Sequence, residues 1–238
     1  MNHWLEELET GFGLTLSARQ VEQFERYTDI LLEWNARFNL TGFKDKEAIQ
    51  YWNFLDSLSV IKALEREKTP ASLIDVGTGA GFPGIPLKIY YPDAKLTLVE
   101  SIGKKANFCV HICEQLELSN CLVLPKRAEE VGQDPAHREQ YMLAIARAVA
   151  AMPVLLEYLL PLTKPGGLVV MQRGVSGEEE AILAEEIMRK LGGDLESIVD
   201  VEFPMVNEKR CLVKVRKNAR TPAKYPRETG VPLKRPLR

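Results

Sequence analysis

Apolar residues recur along this chain first with a helical period and then with the short runs of a sheet. Val21, Phe24, Tyr27, Ile30, Leu31 and Trp34 return every three or four positions, and Ser17 stands where a helix N-cap belongs. A second stripe, Ile49, Trp52, Leu55, Leu58 and Ile61, predicts a helix over 46–67. These aromatic side chains read as core rather than as a platform for stacking bases. After position 72 short apolar runs alternate with helical stretches. Strands are predicted at 73–76, 96–99, 121–124, 141–146, 167–172, 195–203 and 211–215, and helices at 84–91, 103–118, 151–162 and 177–192. Pro92 and Pro165-Gly166-Gly167 fall between them as breakers. Such alternation predicts an α/β domain at 71–217 whose seven strands are mostly parallel, with helices on both faces. Residues 1–70 then form a helical N-terminal extension and 218–238 a tail. There is no internal repeat.

Composition narrows the function classes. The chain has 238 residues, 45% of them apolar, enough for one large core. No run of 18 apolar residues occurs, so no membrane span is predicted. The acidic start, Trp4-Leu5-Glu6-Glu7, lacks a signal-peptide apolar region, and a cytoplasmic location is expected. Four cysteines do not make a disulfide framework at this length. Cys109 and Cys113 share a helix face near His111, but no second pair follows at zinc spacing, so reduced, structural cysteines and no metal are expected. The net charge of −2 hides an asymmetry: residues 209–238 hold eleven Lys or Arg against one acid, Glu228. A basic tail on an acidic body points to a polyanion partner or to a solvated end. Punctuated by prolines, the tail after Lys217 is expected to be extended or disordered without a partner, adding little to the fold.

The candidate chemistry begins at Asp75-Val76-Gly77-Thr78-Gly79-Ala80-Gly81, directly after the strand at 73–76. Alternate glycines let a backbone turn sharply and approach a ligand closely. A dinucleotide fingerprint spaces its glycines G-x-G-x-x-G. Here the third glycine comes one position early and Phe82 stands where that pattern needs glycine. An acid followed by G-x-G-x-G resembles motif I of the class I S-adenosylmethionine-dependent methyltransferases. Glu100 ends the next strand, about 20 residues on, where α/β nucleotide-binding folds place the acid that accepts from ribose hydroxyls. Both cofactor classes use that acid, so Glu100 supports a nucleoside without choosing between them.

Further motifs choose. Leu31-Leu32-Glu33-Trp34-Asn35-Ala36-Arg37-Phe38-Asn39-Leu40-Thr41 resembles the LLxWNxxxNLT signature of the RsmG/GidB family. Asp56-Ser57-Leu58, the long motif 75–86 ending Gly81-Phe82-Pro83-Gly84-Ile85-Pro86, Arg127-Ala128-Glu129, Ala146-Arg147-Ala148-Val149-Ala150, and Tyr225-Pro226-Arg227 with Gly230, Pro232 and Lys234 resemble its other elements in order. One departure is Asn53, where the family usually has His. The resemblance implies a Rossmann-like class I fold and transfer of a methyl group from S-adenosylmethionine to N7 of a guanine in the 530 loop of 16S rRNA, with the small ribosomal subunit as partner. It also implies that Gly77, Gly79, Gly81 and Phe82 surround the cofactor's methionine part and loop. Glu100 would hold its ribose, and Ala128 and Glu129 its adenine. Arg147 would contact cofactor or target.

What the chain lacks agrees. Methylation at cytosine C5 needs a Cys nucleophile, usually after Pro, and no Pro-Cys occurs; the Asp/Asn-Pro-Pro-aromatic motif of exocyclic-amine methylation is also absent. Guanine N7 offers a lone pair and loses no proton, so neither a general base nor a covalent step is required. Two rivals stand beside this reading: an NAD-dependent oxidoreductase, which the glycine spacing opposes, and a non-catalytic rRNA-binding or assembly factor, which the intact glycines and Glu100 oppose.

Overall fold

The computed structural model describes residues 3–65, 67–147, 149–203 and 208–238. Met1, Asn2, Arg66 of the predicted 46–67 helix and Ala148 of the A-R-A-V-A run lie outside the described residues. Helix α1 (His3–Phe12) precedes α2 (Ala18–Phe38). Ser17 caps α2 as its sequence position predicts: its hydroxyl accepts from the Gln20 N–H, and the Gln20 side chain accepts from the Ser17 N–H at 2.8 Å. The predicted 46–67 helix is a composite ending at Leu64: α3 (Lys46–Ile49), a π-helical turn (Gln50–Leu55), α4 (Asp56–Leu58) and a 3-10 turn (Ser59–Leu64). The wide turn shifts the helical register, as such turns do near functional sites.

The α/β part then runs β1 (Ser72–Val76), α5 (Gly84–Tyr90), β2 (Lys95–Val99), α6 (Gly103–Gln115), β3 (Cys121–Leu124), α7 (Ala128–Gln133), β4 (Tyr141–Arg147), α8 (Met152–Leu159), β5 (Thr163–Arg173), α9 (Gly177–Leu183), α10 (Glu185–Lys190), β6 (Gly193–Phe203), β7 (Glu208–Lys217) and α11 (Val231–Lys234). The strands form one sheet in the order β3-β2-β1-β4-β5-β7-β6, parallel except for β7, which is antiparallel to both neighbours. The strand order reverses between β1 and β4, and a crevice opens there beyond the carboxyl ends of the strands.

Alternation along the strands feeds two cores. Leu73 of β1, Leu143 and Ile145 of β4, and Leu168 and Val170 of β5 join the N-terminal helices. Their neighbours Ile74, Val76, Ala144, Ala146, Val169 and Met171 face α8, α9 and α10. The aromatic residues of the extension are core, as the sequence implies: Phe24 packs 4.9 Å from Phe54, and Tyr27 stacks 5.4 Å from Phe82 of the glycine loop.

Four expectations are corrected. Pro165-Gly166-Gly167 lies inside β5 rather than before it; a register irregularity opposite Tyr141 and Leu143, with Gly166 at φ 84°, absorbs it. The predicted 177–192 helix breaks at Ala184, and the predicted 103–118 helix ends at Gln115 because Leu116 leaves helical geometry and Glu117 turns left-handed at φ 54°. Helix α7 was not predicted. The tail is neither extended nor independent. Tyr225 and Pro226 are buried, and Arg138 donates to the carbonyls of Thr221 at 2.9 Å and Tyr225 at 2.6 Å. The buried Lys217 donates to the carbonyls of Leu160 and Leu191 where the tail begins.

Candidate cofactor cleft and its surroundings

An open cleft lies at the ends of β1, β2 and β3, lined by Gly77, Glu100, Ser101, Arg127, Ala128 and Glu129 among others. Three sequence-predicted clusters, far apart in the chain, therefore meet at one place. Tyr158 of α8, which the sequence did not single out, also lines it.

The loop after β1 is shaped by its own strand. The Asp75 carboxylate is wholly buried, and its Oδ2 accepts from the Thr78 hydroxyl at 2.6 Å and the Gly84 N–H at 2.8 Å. Oδ1 is buried with no hydrogen-bond partner among the described residues. Burial pushes this carboxyl up to about 7, against the opposing effects of those two donors. The acid at the head of the motif is thus a brace for the turn.

The glycines do separate work. At Gly77, φ 72°, an added Cβ would stand 2.7 Å from Cγ2 of Val149. At Gly81, φ 94°, it would stand 2.6 Å from the Tyr27 hydroxyl oxygen, and that hydroxyl donates to the Ala80 carbonyl. Gly81 thus seats the loop on α2 and does not line the cleft. Gly79, also left-handed at φ 62°, faces open space and donates its N–H to Glu100 Oε2 at 2.9 Å.

Glu100 braces the loop as well as lining the cleft: Oε2 takes the Gly79 N–H, and Oε1 takes the Ile102 N–H at 2.8 Å. Each oxygen keeps acceptor capacity. Glu129 sits in the first turn of α7, which an Arg127–Glu130 backbone-to-carboxylate bond of 2.8 Å helps start. Glu129 Oε1 accepts from the Tyr158 hydroxyl at 3.2 Å and from the Gly230 N–H at 2.8 Å. Burial pushes the Tyr158 phenol well up, so it stays a donor.

Phe82 and Arg147 stand apart from the cleft lining, against the N-terminal helices. Arg147 Nη1 donates to Asp56 Oδ2 at 2.7 Å and to the Trp52 carbonyl at 3.1 Å, and Nη2 to Asn53 Oδ1 at 3.2 Å. Its guanidinium lies 5.2 Å from the centre of the Phe82 ring. Asp56 opens the D-S-L run and Asn53 is the position that departs from the family pattern. The sequence marked both without showing that they converge on Arg147.

The family model described as "rRNA small subunit methyltransferase G" (GidB) matches residues 20–210. The chain belongs to this family. A relative from Roseiflexus castenholzii named ribosomal RNA small subunit methyltransferase G is 49% identical over 228 residues, covering 96% of this chain and 96% of its own length. One of the same name from Pelotomaculum thermopropionicum is 46% identical over 225 residues, covering 94% of each. Among solved structures, a SAM dependent methyltransferase from Aquifex aeolicus superposes with a TM-score of 0.51 at 19% identity, covering 67% of this chain and 89% of its own. P. horikoshii TYW2 in complex with MeSAdo gives 0.53 at 14% identity, covering 69% and 62%. At these identities the structures speak for the fold, that of the class I S-adenosylmethionine-dependent methyltransferases. As a member of the GidB family, the chain is an rRNA methyltransferase.

Proposed function

We propose that this chain transfers a methyl group from S-adenosylmethionine to N7 of a guanine in the 530 loop of 16S rRNA, acting on the small ribosomal subunit in the cytoplasm. The observation that carries the cofactor assignment is the meeting of Gly77, Glu100, Ala128 and Glu129 around one cleft. A carboxylate with spare acceptor capacity suits a ribose diol, and a second carboxylate at the next strand end suits the amine of adenine. Gly79, open to space and left-handed, leaves room beside them.

The bound cofactor supplies a methyl group on a positively charged sulfur. The chain's own residues have little proton chemistry to perform, because N7 carries a lone pair and no proton. Their task is alignment. Asp75 and Glu100 hold the loop rigid from two sides, while Phe82 and Arg147 join the loop to the N-terminal helices. Arg147 keeps further N–H donors beyond its three bonds to Trp52, Asn53 and Asp56, and these are the group assigned here to contact cofactor or target. Of the four cysteines, Cys109, Cys113 and Cys211 are buried, which supports a route without a thiol nucleophile.

Incubation of purified small subunits with the protein and S-adenosylmethionine labelled in the methyl group tests this reading. Label in 16S rRNA supports it; absence of transfer from a folded, cofactor-binding protein favours the assembly-factor alternative.

A further inference from the structure

The C-terminal segment does not line the cofactor cleft but bonds to Glu129, which does. Two acids of the α/β core receive it. Glu157 of α8 is fully buried and takes three bonds from Arg227: the backbone N–H at 2.8 Å, Nε at 2.8 Å and Nη2 at 2.6 Å. Three residues later the Gly230 N–H reaches Glu129 Oε1 at 2.8 Å. Gly230 is left-handed at φ 81°, and that turn carries the chain past the cleft into α11. The position between these contacts is fixed from the other side as well. Pro226 packs against Gly132 of α7, where an added Cβ would stand 2.7 Å from Pro226 Cγ, and Gln133 of the same helix donates to the Pro226 carbonyl at 2.5 Å.

The consequence falls on Glu129. Its Oε1 holds two donors, Gly230 N–H and Tyr158 O–H, whereas Oε2 takes no hydrogen bond among the described residues. Glu129 lines the cleft. A carboxylate pinned through one oxygen presents the other in one orientation instead of several, and the rotamer entropy of that choice is met by the fold rather than by the ligand.

Resting on the cofactor assignment above, we propose that the strap 225–230 is a positioning element for the adenine end of the cleft. Arg227, clamped on Glu157, delivers the Gly230 N–H to Glu129, and so aims Glu129 Oε2 at the exocyclic amine of the base. Arg227 touches neither cofactor nor target; it acts through Glu129.

The probes are S-adenosylhomocysteine and S-inosylhomocysteine, which differ at one edge of the base: the exocyclic amine donor becomes a carbonyl acceptor, and the neighbouring N1 changes from acceptor to N–H donor. Calorimetry with the full chain should show that wild type prefers the adenosyl compound. Arg227→Ala should weaken adenosyl binding about tenfold, the scale of one hydrogen bond to a charged group, while inosyl binding changes less than about twofold. Arg227→Lys should recover part of the loss. Should Arg227→Ala fail to fold, Tyr158→Phe removes the other donor to the same oxygen and should show the same selective loss. Equal loss for both probes, or no loss in a folded variant, overturns the proposal. Wild type that binds neither compound overturns the cofactor assignment, and the proposal with it.

Discussion

Asp75 is the residue on which the most chemistry turns without touching a ligand. Its folded-state carboxyl sits near 7, pushed up chiefly by burial, against an ordinary value of 3.8. The folded chain therefore holds a proton there that the unfolded chain has already released between those values. The stability this proton contributes is full below about pH 4 and is lost as pH rises through 7. Thermal melts should show wild-type stability falling over that window relative to Asp75→Asn, whose neutral amide keeps an acceptor for Thr78 and Gly84; parallel profiles would contradict this. Gly79→Asp should abolish cofactor binding and leave a folded protein, since an added Cβ meets no protein atom within 4 Å and only the left-handed φ opposes it. Unchanged calorimetric affinity in that variant would place the cofactor elsewhere. The family resemblance gives Arg147 a contact with cofactor or target, and the structure also gives it a structural load. The Asp56 side chain is 5% exposed, and without Arg147 its carboxylate keeps, among the described residues, the Arg210 guanidinium at 3.8 Å. Arg147→Ala should therefore cost about 3 kcal/mol in urea unfolding as well as lowering methyl transfer. Unchanged stability would show that the pair contributes nothing to the fold.

At the scale of elements, what was legible followed local pattern and what was missed followed tertiary contacts. All seven strands lie where short apolar runs predict them, because the central strands β1, β2, β4 and β5 are buried on both faces and read as near-continuous apolar runs, while the edge strands β3 and β6 keep enough apolar positions to show. The Ser17 cap was legible because Gln20 follows three residues later. The π-helical turn at Gln50–Leu55 was not, since its apolar stripe fits an ordinary helix. Nor was α7, six residues long with too few apolar positions to show a period. The tail was misread because its cations looked free for phosphates. Arg227 is instead held by Glu157, while Arg220, Lys224, Lys234, Arg235 and Arg238 stay exposed and remain the candidates for RNA contact. Cutting the chain after Lys217 should therefore lower the melting temperature by several degrees, because the buried Glu157 loses its partner. It should also weaken cofactor binding by stripping the Gly230 N–H from Glu129. A truncated protein with wild-type melting and cofactor affinity would show that the tail is passive.

At the scale of the whole molecule, one sheet with a reversal in strand order gathers Gly77, Glu100 and Ala128-Glu129 from three successive strand ends, and the N-terminal helices close over Phe82 and Arg147 beside them. Spacing nominated Gly77 and Glu100, and the resemblance to the RsmG/GidB family nominated Phe82, Ala128, Glu129 and Arg147. Neither could show that Asp75 and Glu100 brace the loop, or that Glu129 is shared with the tail, because those bonds join positions 9, 21 and 101 residues apart. The proposed function requires this arrangement to align one guanine N7 with a methyl donor. It is tested most directly by mapping the modified nucleotide after incubating small subunits with the protein and S-adenosylmethionine. N7-methylguanine is cleaved selectively by borohydride and aniline, and primer extension then locates the break. A single new stop in the 530 loop of 16S rRNA that vanishes with Gly79→Asp is the expected result. A methyl group found on a base carbon or an exocyclic amine, or no stop in that loop, would contradict it.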